Sequence, residues 1–280
     1  MKQKERTLIT GASSGIGLHL AREFAKHGHD LVLVAPVESE LKQIAADLGA
    51  AHDVEVECVA KDLEQETAAL EIFSKTTANG REINILVNNA GHGQRGRFWE
   101  IPIERDLSIL RLNIEAVLRM TKSFLPPMLE RRRGRILNVA SVASFEPGPL
   151  LALYHASKAF VLSFSEALST ETEDTGVTVT ALCPGPTDTD FFPKADMLET
   201  RAFQKANLMP PQEVAEIGYK ALMKGDRVVV AGAVNKMMVF ARHLMPESAQ
   251  AKKQEKLYGD VEPKERKRIR GEKETEAARQ

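Results

Sequence analysis

The sequence predicts an α/β fold in which about seven parallel strands form one doubly wound sheet with helices on both faces. Strand-like and helix-like stretches alternate along the chain, and several strands are apolar almost without interruption, as strands buried on both faces are. A chain of 280 residues is long enough for one large domain of this kind. The strand-like runs cover residues 6–10, 30–35, 54–60, 83–90, 134–141, 177–184 and 227–232.

Two segments interrupt this alternation. Residues 186–210 separate the sixth strand from a helix that begins near Pro211, and a connection of that length in a compact domain is often a lid or a binding segment. Residues 246–280 carry many charges of both signs and few large apolar side chains. We therefore expect a single domain over residues 1–245 and a charged tail that is helical at best and partly disordered.

Composition excludes several classes of protein. The hydrophobic fraction of 43%, the charged fraction of 28% and the net charge of −1 are typical of a soluble globular protein and give no basic surface for nucleic acid. Cys58 and Cys183 lie in apolar strand-like runs, where we expect buried free thiols in a reducing compartment. The first strand follows Met1 too closely for a signal peptide, no apolar run approaches the ~18 residues of a membrane span, and no metal-ligand spacing is present. We expect a cytoplasmic protein.

The first strand runs directly into a glycine-rich stretch, "TGASSGIG", at residues 10–17. Gly11, Gly15 and Gly17 lie between a strand and an apparent helix, where glycines permit a tight turn and a close approach of the backbone to a pyrophosphate. The helix N-terminus that follows supplies unpaired N–H groups and a partial positive charge. This position indicates a Rossmann-type, dinucleotide-binding domain.

The stretch "TGASSGIG" resembles the short-chain dehydrogenase/reductase family, and further motifs of that family follow in order over residues 5–232. They are Asp62 after the third strand, "NNAG" at 88–91, "YHASK" at 154–158 and "PGPTDT" at 184–189. The resemblance implies four catalytic residues, which are Asn113, Ser141, Tyr154 and Lys158. It also implies cofactor contacts from Gly11, Ser13, Ser14, Gly15, Ile16, Gly17, Asp62, Leu63, Asn89, Ala90, Gly91, Tyr154, Lys158, Pro184, Gly185 and Thr187.

Alone, Tyr154 and Lys158 would be ordinary neighbours one helical turn apart, and Ser141 and Asn113 would be ordinary polar residues. As a set they suit hydride transfer to or from a carbonyl carbon, in which the protein must orient the substrate and move a proton. A free phenol has a pKa of about 10, and we expect the Lys158 ammonium to lower it. In the family the same ammonium also holds the nicotinamide ribose, the serine steadies the substrate oxygen, and the asparagine holds a water that links the lysine to solvent. The reaction can run in either direction.

The end of the second strand, "LVLVAPVES", bears on the choice of dinucleotide. An acid there favours NAD, whereas an arginine accepts the 2′-phosphate of NADP. Pro36 occupies the place where similar NADP-linked members have arginine, which removes a charge-assisted contact of about 1.5–3 kcal/mol. Because no acid is present and Ser13, Ser14 and Lys42 are candidate phosphate ligands, we expect NADP(H) rather than NAD(H), with weakened discrimination.

The two segments that face the substrate, residues 145–154 and 190–197, are apolar. They predict a small apolar ketone, aldehyde or alcohol as substrate, because neither contains a cluster of arginines. Candidate lining residues, each of which is equally well a packing residue, are Phe145, Leu150, Leu151, Phe191, Phe192 and Met197. His155, next to Tyr154, is expected to point to a different helix face and to be non-catalytic, and His19, His27 and His29 have no plausible ligand set.

The segment after the last strand has apolar residues at helical spacing, which are Val234, Met237, Met238, Ala241, Leu244 and Met245. Such a stripe most often packs, over the substrate site or across a dimer, and contact with a membrane surface is a secondary hypothesis. The family resemblance implies a homodimer or homotetramer. The rival functions are a non-catalytic NADP(H)-binding sensor or scaffold and an epimerase or dehydratase of the extended branch, which the glycine motif and the short C-terminal region disfavour.

Overall fold

The computed structural model describes residues 4–242 and 246–268. Leu244 and Met245 of the apolar stripe and residues 269–280 of the tail lie outside the described residues.

Within the described residues, seven parallel strands form one sheet in the order β3-β2-β1-β4-β5-β6-β7. Ile9 of β1 pairs with Leu33 of β2 on one side and with Val87 of β4 on the other, so the strand order reverses between β1 and β4. In open parallel sheets this reversal creates a crevice beyond the carboxyl ends of the strands. The predicted fold is confirmed. The strands are β1 (Arg6–Thr10), β2 (Asp30–Ala35), β3 (Val56–Ala60), β4 (Ile85–Asn88), β5 (Gly134–Val139), β6 (Val177–Cys183) and β7 (Val228–Val230).

Helices follow the strands as the alternating pattern predicts. α9 shows how the sequence sets both ends of a helix, because Pro211 fits the first turn and Gly225 ends it with a φ of 78°. The helices are α1 (Gly15–Lys26), α2 (Glu38–His52), α3 (Ala68–Thr76), α4 (Ile103–Leu110), α5 (Ala116–Glu130), α6 (Ala152–Glu171), α7 (Phe191–Lys194), α8 (Arg201–Gln204), α9 (Pro211–Lys224), α10 (Ala233–Arg242) and α11 (Glu247–Tyr258).

Alternate residues of the strands pack on opposite faces of the sheet. In β2, Leu31 and Leu33 pack with the layer formed by α1, α2 and α9, whereas Val32 packs with the layer that contains α3 and α5. Phe24 and Phe124 are fully or almost fully buried, one in each layer, and full burial of such a side chain stabilises the fold by about 1.5–3 kcal/mol. The two layers cover the two faces of the sheet, and the crevice lies at its carboxyl edge.

The long connection at residues 186–210 folds into α7 and α8 and packs as a separate apolar cluster with α11. The buried residues of this cluster are Leu151, Phe192, Ala195, Met197, Ala202, Phe203 and Leu208. Leu257 and Tyr258 of α11 pack against the cluster. The predicted substrate loop is thus an ordered layer that covers the carboxyl edge of the sheet.

Residues 247–268, which the sequence predicts as a charged tail that is helical at best, contain the helix α11 and pack against the rest of the chain. Gln250, Gln254 and Val261 are buried, and the backbone N–H of Val261 donates to the carbonyl oxygen of Glu199 at 2.9 Å. The few apolar residues of this segment suffice because residues 186–210 supply a complementary apolar surface. Average composition hides that complementarity.

α10 leaves most of its apolar stripe uncovered. Val234 and Met237 are 64% and 65% exposed, and the neighbouring Phe240 is 72% exposed. Met238 instead lines the crevice at the carboxyl edge of the sheet, so the expected packing over the substrate site is found for Met238 but not for Val234 or Met237. Of the two thiols that the sequence predicts to be buried, Cys183 is buried, whereas Cys58 is only half-buried. None of the helices in residues 4–242 and 246–268 is long and apolar enough to cross a membrane.

Candidate active site

A cavity of about 510 Å³ lies at the carboxyl edge of the sheet. It begins at the ends of β1, β4, β5 and β6, where the strand order reverses. Gly17 and Asn113 do not line it. All the other predicted site residues do, and they are Gly11, Ser13, Ser14, Gly15, Ile16, Asp62, Leu63, Asn89, Ala90, Gly91, Ser141, Tyr154, Lys158, Pro184, Gly185 and Thr187.

The turn after β1 is held in shape by the end of β4. Gly11 has a φ of +64°, and a Cβ there would lie 2.9 Å from the Cα of Ala90. The Thr10 hydroxyl accepts from the backbone N–H groups of Asn89 and Ala90 at 3.0 and 3.1 Å, and the Asn89 amide donates to the Thr10 carbonyl oxygen at 2.9 Å. Thr10 was missed by the sequence reasoning, although it belongs to the same motif.

Gly17 serves packing. A Cβ at Gly17 would lie 2.1 Å from the carbonyl oxygen of Gly11 and 2.4 Å from the Asn89 amide nitrogen. The first turn of α1 therefore lies directly against the glycine turn. A cofactor contact from Gly17 remains a prediction.

The start of α1 suits an anion. Ser14 precedes the helix with an extended backbone and makes no side-chain cap, and the first turn contains no acidic residue. The first N–H groups of a helix lack partners within the helix and attract negative charge. With Ser13, Ser14 and Gly15 lining the cavity here, the residues fit a dinucleotide pyrophosphate.

The region expected to meet the adenosine is formed by the ends of β2 and β3. Pro36 and Asp62 line it, and the Asp62 carboxylate accepts the backbone N–H of Glu64 at 2.9 Å. Lys61, which the sequence reasoning missed, also lines the cavity, and its N–H donates to the Ala35 carbonyl oxygen at 3.0 Å. Lys42, a candidate phosphate ligand, instead pairs with Glu38 at 2.9 Å on the surface of α2.

Ser141 is positioned by a capping box. Its hydroxyl oxygen accepts the N–H of Ala143 at 3.1 Å, and the Ser144 hydroxyl accepts the N–H of Ser141 at 3.2 Å. The Ser144 hydroxyl also donates to the Lys158 carbonyl oxygen at 2.7 Å, which fixes this turn against α6. Ser144 was another residue that the sequence reasoning missed.

Tyr154 and Lys158 lie on the first two turns of α6. Lys158 is buried, its ammonium donates to the Val139 carbonyl oxygen at 2.8 Å, and its nitrogen lies 5.8 Å from the centre of the Tyr154 ring. Burial lowers the pKa of Lys158 to about 8. Burial also raises the pKa of Tyr154 to about 12, and hydrogen bonding to Ser141 offsets the rise only in part.

The expected lowering of the tyrosine pKa by Lys158 is therefore not found. The sequence argument counted the neighbouring charge but not the cost of burying a phenolate, and here that cost dominates. Tyr154 is a neutral phenol near pH 7 and is suited to donating a proton.

Asn113 lies behind the cavity in a π-helical turn, Arg111–Glu115. Its amide nitrogen donates to the His92 carbonyl oxygen at 2.9 Å and to the Ser157 hydroxyl at 3.0 Å, and its oxygen accepts the N–H of His92 at 3.0 Å. Asn113 thus joins the loop after β4 to α6. The water expected beside Asn113 remains a prediction.

The substrate end of the cavity is apolar on one wall. Phe191 lies 4.9 Å from the Tyr154 ring, and Leu151, Phe192 and Met197 also line this end. Phe145 and Leu150 do not. Phe145 packs beside the buried core of α6, and the Leu150 carbonyl oxygen is turned to accept the N–H of Gly96.

The opposite wall was not predicted. It contains Glu146, Gln254, Leu257 and Tyr258. His155, which was expected to be non-catalytic, is buried between this wall and the 3₁₀ turn Val142–Phe145 that follows Ser141. Its Nδ1 lies 2.8 Å from the Glu146 carbonyl oxygen, and its Nε2 lies 2.8 Å from the Tyr258 hydroxyl. Among the described residues, no group of three His, Cys, Asp or Glu side chains is placed to hold a metal ion.

The family model for short chain dehydrogenases matches residues 5–198. A very-long-chain 3-oxoacyl-CoA reductase of Phaeosphaeria nodorum is 39% identical over 176 residues, which cover 61% of this chain and 52% of the reductase, so the chain spans about half of that relative. An uncharacterized oxidoreductase of Staphylococcus saprophyticus is 33% identical over 228 residues, which cover 81% of this chain and 95% of the relative.

Solved structures agree with these relatives. A short-chain dehydrogenase from Sphingobium yanoikuyae in complex with NADPH is 31% identical, with a TM-score of 0.77 over 92% of this chain and 97% of that one. A short-chain dehydrogenase/reductase from Burkholderia phymatum in complex with NAD is 25% identical, with a TM-score of 0.80 over 93% of this chain and 98% of that one.

The chain therefore belongs to the short-chain dehydrogenase family. Members of that family include oxidoreductases that use NAD(P) and act on carbonyl and alcohol groups. The non-catalytic alternative gains no support from these relatives, because all four are named as reductases, oxidoreductases or dehydrogenases.

Proposed function

We propose that this protein is an NADP(H)-dependent reductase of apolar ketones or aldehydes, with Tyr154 as the general acid in reduction and the general base in the reverse reaction. The observation that carries the proposal is the convergence of Ser141, Tyr154 and Lys158 in one cavity with the glycine turn. A buried cation beside a neutral phenol, next to a helix N-terminus that attracts an anion, is what carbonyl reduction by a dinucleotide requires.

The bound nicotinamide would supply the hydride, and the protein supplies the proton. As the carbonyl oxygen gains negative charge, the Tyr154 hydroxyl transfers its proton to that oxygen. The Ser141 hydroxyl donates a hydrogen bond to the same oxygen and keeps it in line with the phenol. The nearby Lys158 ammonium then stabilises the phenolate that remains, until a proton returns from solvent.

Support for this mechanism comes from the opposite pKa shifts of Tyr154 and Lys158. A phenol with its pKa raised to about 12 keeps its proton until the substrate oxygen takes it. An ammonium with its pKa lowered to about 8 is still charged near pH 7. The pair therefore favours the reductive direction at neutral pH.

The direct test is the substitution Tyr154→Phe, which removes the phenolic hydroxyl group and keeps the aromatic ring. We expect kcat for reduction of an apolar ketone by NADPH to fall by at least about 100-fold, the usual contribution of a general acid. The Kd for NADPH, measured by fluorescence titration, should change by no more than about twofold, because the lost hydroxyl acts on the carbonyl oxygen in the transition state and does not hold the nucleotide. A Tyr154→Phe protein with wild-type kcat would refute the proposed role.

NADP(H) is preferred in this proposal because the end of β2, where an acid would favour NAD, has Ala35, Pro36 and Val37 and no carboxylate. Lys61 supports it: Ala60 pairs with Ala35 in the sheet, so Lys61 lies beside Pro36, the position that has lost the usual arginine. Its ammonium now pairs with Glu71 at 2.5 Å, so binding a 2′-phosphate would exchange one anionic partner of Lys61 for another. The solved relatives hold NADPH in one case and NAD in the other, so they do not decide this choice.

The test of this cofactor assignment compares Lys61→Gln with Lys42→Gln. We expect Lys61→Gln to raise the Kd for NADPH about tenfold, because a charge-assisted hydrogen bond contributes about 1.5–3 kcal/mol, and to leave the Kd for NADH unchanged. Lys42→Gln is the matched control, since Lys42 is exposed and lies outside the cavity. Equal effects of the two substitutions on NADPH binding would contradict the assignment, as would tighter binding of NADH than NADPH by the wild type.

The substrate is proposed to be apolar because Leu151, Phe191, Phe192 and Met197 form a wall beside Tyr154.

A homo-oligomer is also proposed, with support from the exposed apolar residues that precede and begin α4. Phe98, Trp99 and Ile103 are 60%, 74% and 59% exposed in the single chain. The free thiols of Cys58 and Cys183 support the expected cytoplasmic location.

A further inference from the structure

We propose that Tyr258, held by His155, is a specificity-determining residue that fixes α11 across the substrate end of the cavity and limits which carbonyl compounds reach Tyr154. This inference rests on the proposed function. It adds a residue from the segment that the sequence marks as a solvated tail.

The three rings lie in a row across the cavity wall. The ring centres of Tyr154 and His155 are 6.2 Å apart, and those of His155 and Tyr258 are 5.6 Å apart, both pairs edge to face. Tyr154 and Tyr258 both line the cavity. A compound bound at Tyr154 therefore lies between Phe191 on one side and Tyr258 on the other.

The hydrogen bonds of His155 fix the direction of its contact with Tyr258. Nδ1 faces the Glu146 carbonyl oxygen at 2.8 Å, and a carbonyl oxygen only accepts, so Nδ1 carries the proton. Nε2 must then accept the proton of the Tyr258 hydroxyl, 2.8 Å away. Burial lowers the pKa of His155 and raises that of Tyr258, which keeps both groups neutral.

In this arrangement the hydroxyl proton of Tyr258 is donated to Nε2 of His155 and is not available to a substrate. Toward the substrate, the phenol oxygen offers lone pairs alone, and the neighbouring Glu146 carboxyl group adds more acceptors. The wall therefore disfavours an anionic group on the substrate and favours a neutral one. The substrate class that fits is a neutral, apolar carbonyl compound of limited size.

α11 is clamped on both sides of Tyr258. On the cavity side, the Gln254 amide donates to the Glu146 carboxylate, in addition to the bond between Tyr258 and His155. Beyond the helix, Arg95 pairs with Asp260 at 3.1 Å and donates to the Tyr258 carbonyl oxygen at 3.3 Å. With these contacts α11 is a fixed wall of the cavity.

The chain contains its own matched control. Tyr219 on α9 also contacts an imidazole, with its hydroxyl 3.3 Å from Nε2 of His29; Tyr219 is buried, and Tyr258 is half-buried. That pair lies in the layer formed by α1 and α9 and does not line the cavity. Loss of a buried phenol–imidazole contact can thus be separated from loss of the cavity wall.

The experiment measures kcat/KM with NADPH in four proteins, which are wild type, Tyr258→Ala, Tyr258→Phe and Tyr219→Phe. The substrates are a series of neutral methyl ketones of increasing size and a keto acid of matched size. We expect Tyr258→Ala to raise the ratio of kcat/KM for the largest over the smallest ketone by about tenfold, the range that one pocket contact provides. Tyr219→Phe should leave that ratio unchanged, and NADPH affinity should stay the same in all four proteins. An unchanged ratio in Tyr258→Ala would overturn the proposal.

A second measurement does not depend on turnover. Hydrogen exchange of the amides in residues 250–258 should be faster in Tyr258→Phe than in wild type and unchanged in Tyr219→Phe, because only the first variant loses the bond to His155. Equal exchange in Tyr258→Phe and wild type would overturn the role of His155. Failure of the proposed function is distinct from both results, since it shows as a wild-type protein that reduces no ketone in the series.

Discussion

Burial acts in opposite directions on the two ionisable groups of the candidate active site. It raises the pKa of Tyr154 to about 12 and lowers that of Lys158 to about 8, because it disfavours the charged form of each. Only reduction uses both groups in the forms that are stable at neutral pH, the phenol and the ammonium. Alcohol oxidation needs the phenolate, which is scarce until the solution becomes alkaline.

This difference predicts a pH dependence. As pH rises through about 8, Lys158 loses its proton and its positive charge, whereas Tyr154 keeps its proton up to about pH 12. We expect kcat/KM for ketone reduction to be level below pH 8 and to fall above it by about tenfold per pH unit, as for loss of one essential ionised group. The test is to measure kcat/KM for ketone reduction from pH 6 to pH 10. Circular dichroism over the same range confirms that the protein stays folded. A level profile up to pH 10 would contradict the pKa assigned to Lys158.

At the scale of the elements, the contact between β1, α1 and β4 sets the shape of the nucleotide turn. Thr10 and Asn89 hold the turn by hydrogen bonds, and Gly17 lets the first turn of α1 lie against Gly11. The backbone cannot yield here as a flexible side chain would. Small changes at this contact should therefore alter both stability and nucleotide binding.

Gly17→Ala tests this contact. The new Cβ would meet the Gly11 carbonyl oxygen at 2.1 Å, so we expect the free energy of unfolding to fall by about 1–3 kcal/mol, as for other overpacked sites, and NADPH affinity to fall with it. Gly49→Ala in α2 is the matched control, because its Cβ would lie 3.5 Å from its nearest neighbour and alanine favours a helix by up to about 1 kcal/mol. Chemical denaturation and NADPH titration give both quantities. Identical behaviour of the two variants would contradict the account of the turn.

For the whole molecule, the sequence predicts what depends on local pattern and ordered motifs. The seven strands are visible as apolar runs because both faces of the sheet are covered, and the glycine motif is recognisable because its context is local. The far wall of the cavity is not predictable in this way. Gln254, Leu257 and Tyr258 come from a charged segment distant in sequence. Leu257 and Tyr258 pack on the folded loop at 186–210, and Gln254 and Tyr258 also bond to Glu146 and His155, contacts that exist only in the folded chain. The pKa of Tyr154 is missed for a related reason, since burial depends on the whole fold.

The measurement that tests the central claim most directly is transfer of deuterium to an apolar ketone from NADPH that carries deuterium at both C4 positions, followed by mass spectrometry of the alcohol. The comparison is between wild type and Tyr154→Phe, with nucleotide binding measured in both proteins. The account predicts that wild type forms an alcohol with one deuterium on the carbinol carbon and that Tyr154→Phe binds NADPH but forms almost none. Equal deuterium transfer by the two proteins would contradict it, as would NADPH binding by wild type without any labelled alcohol from a panel of apolar ketones and aldehydes.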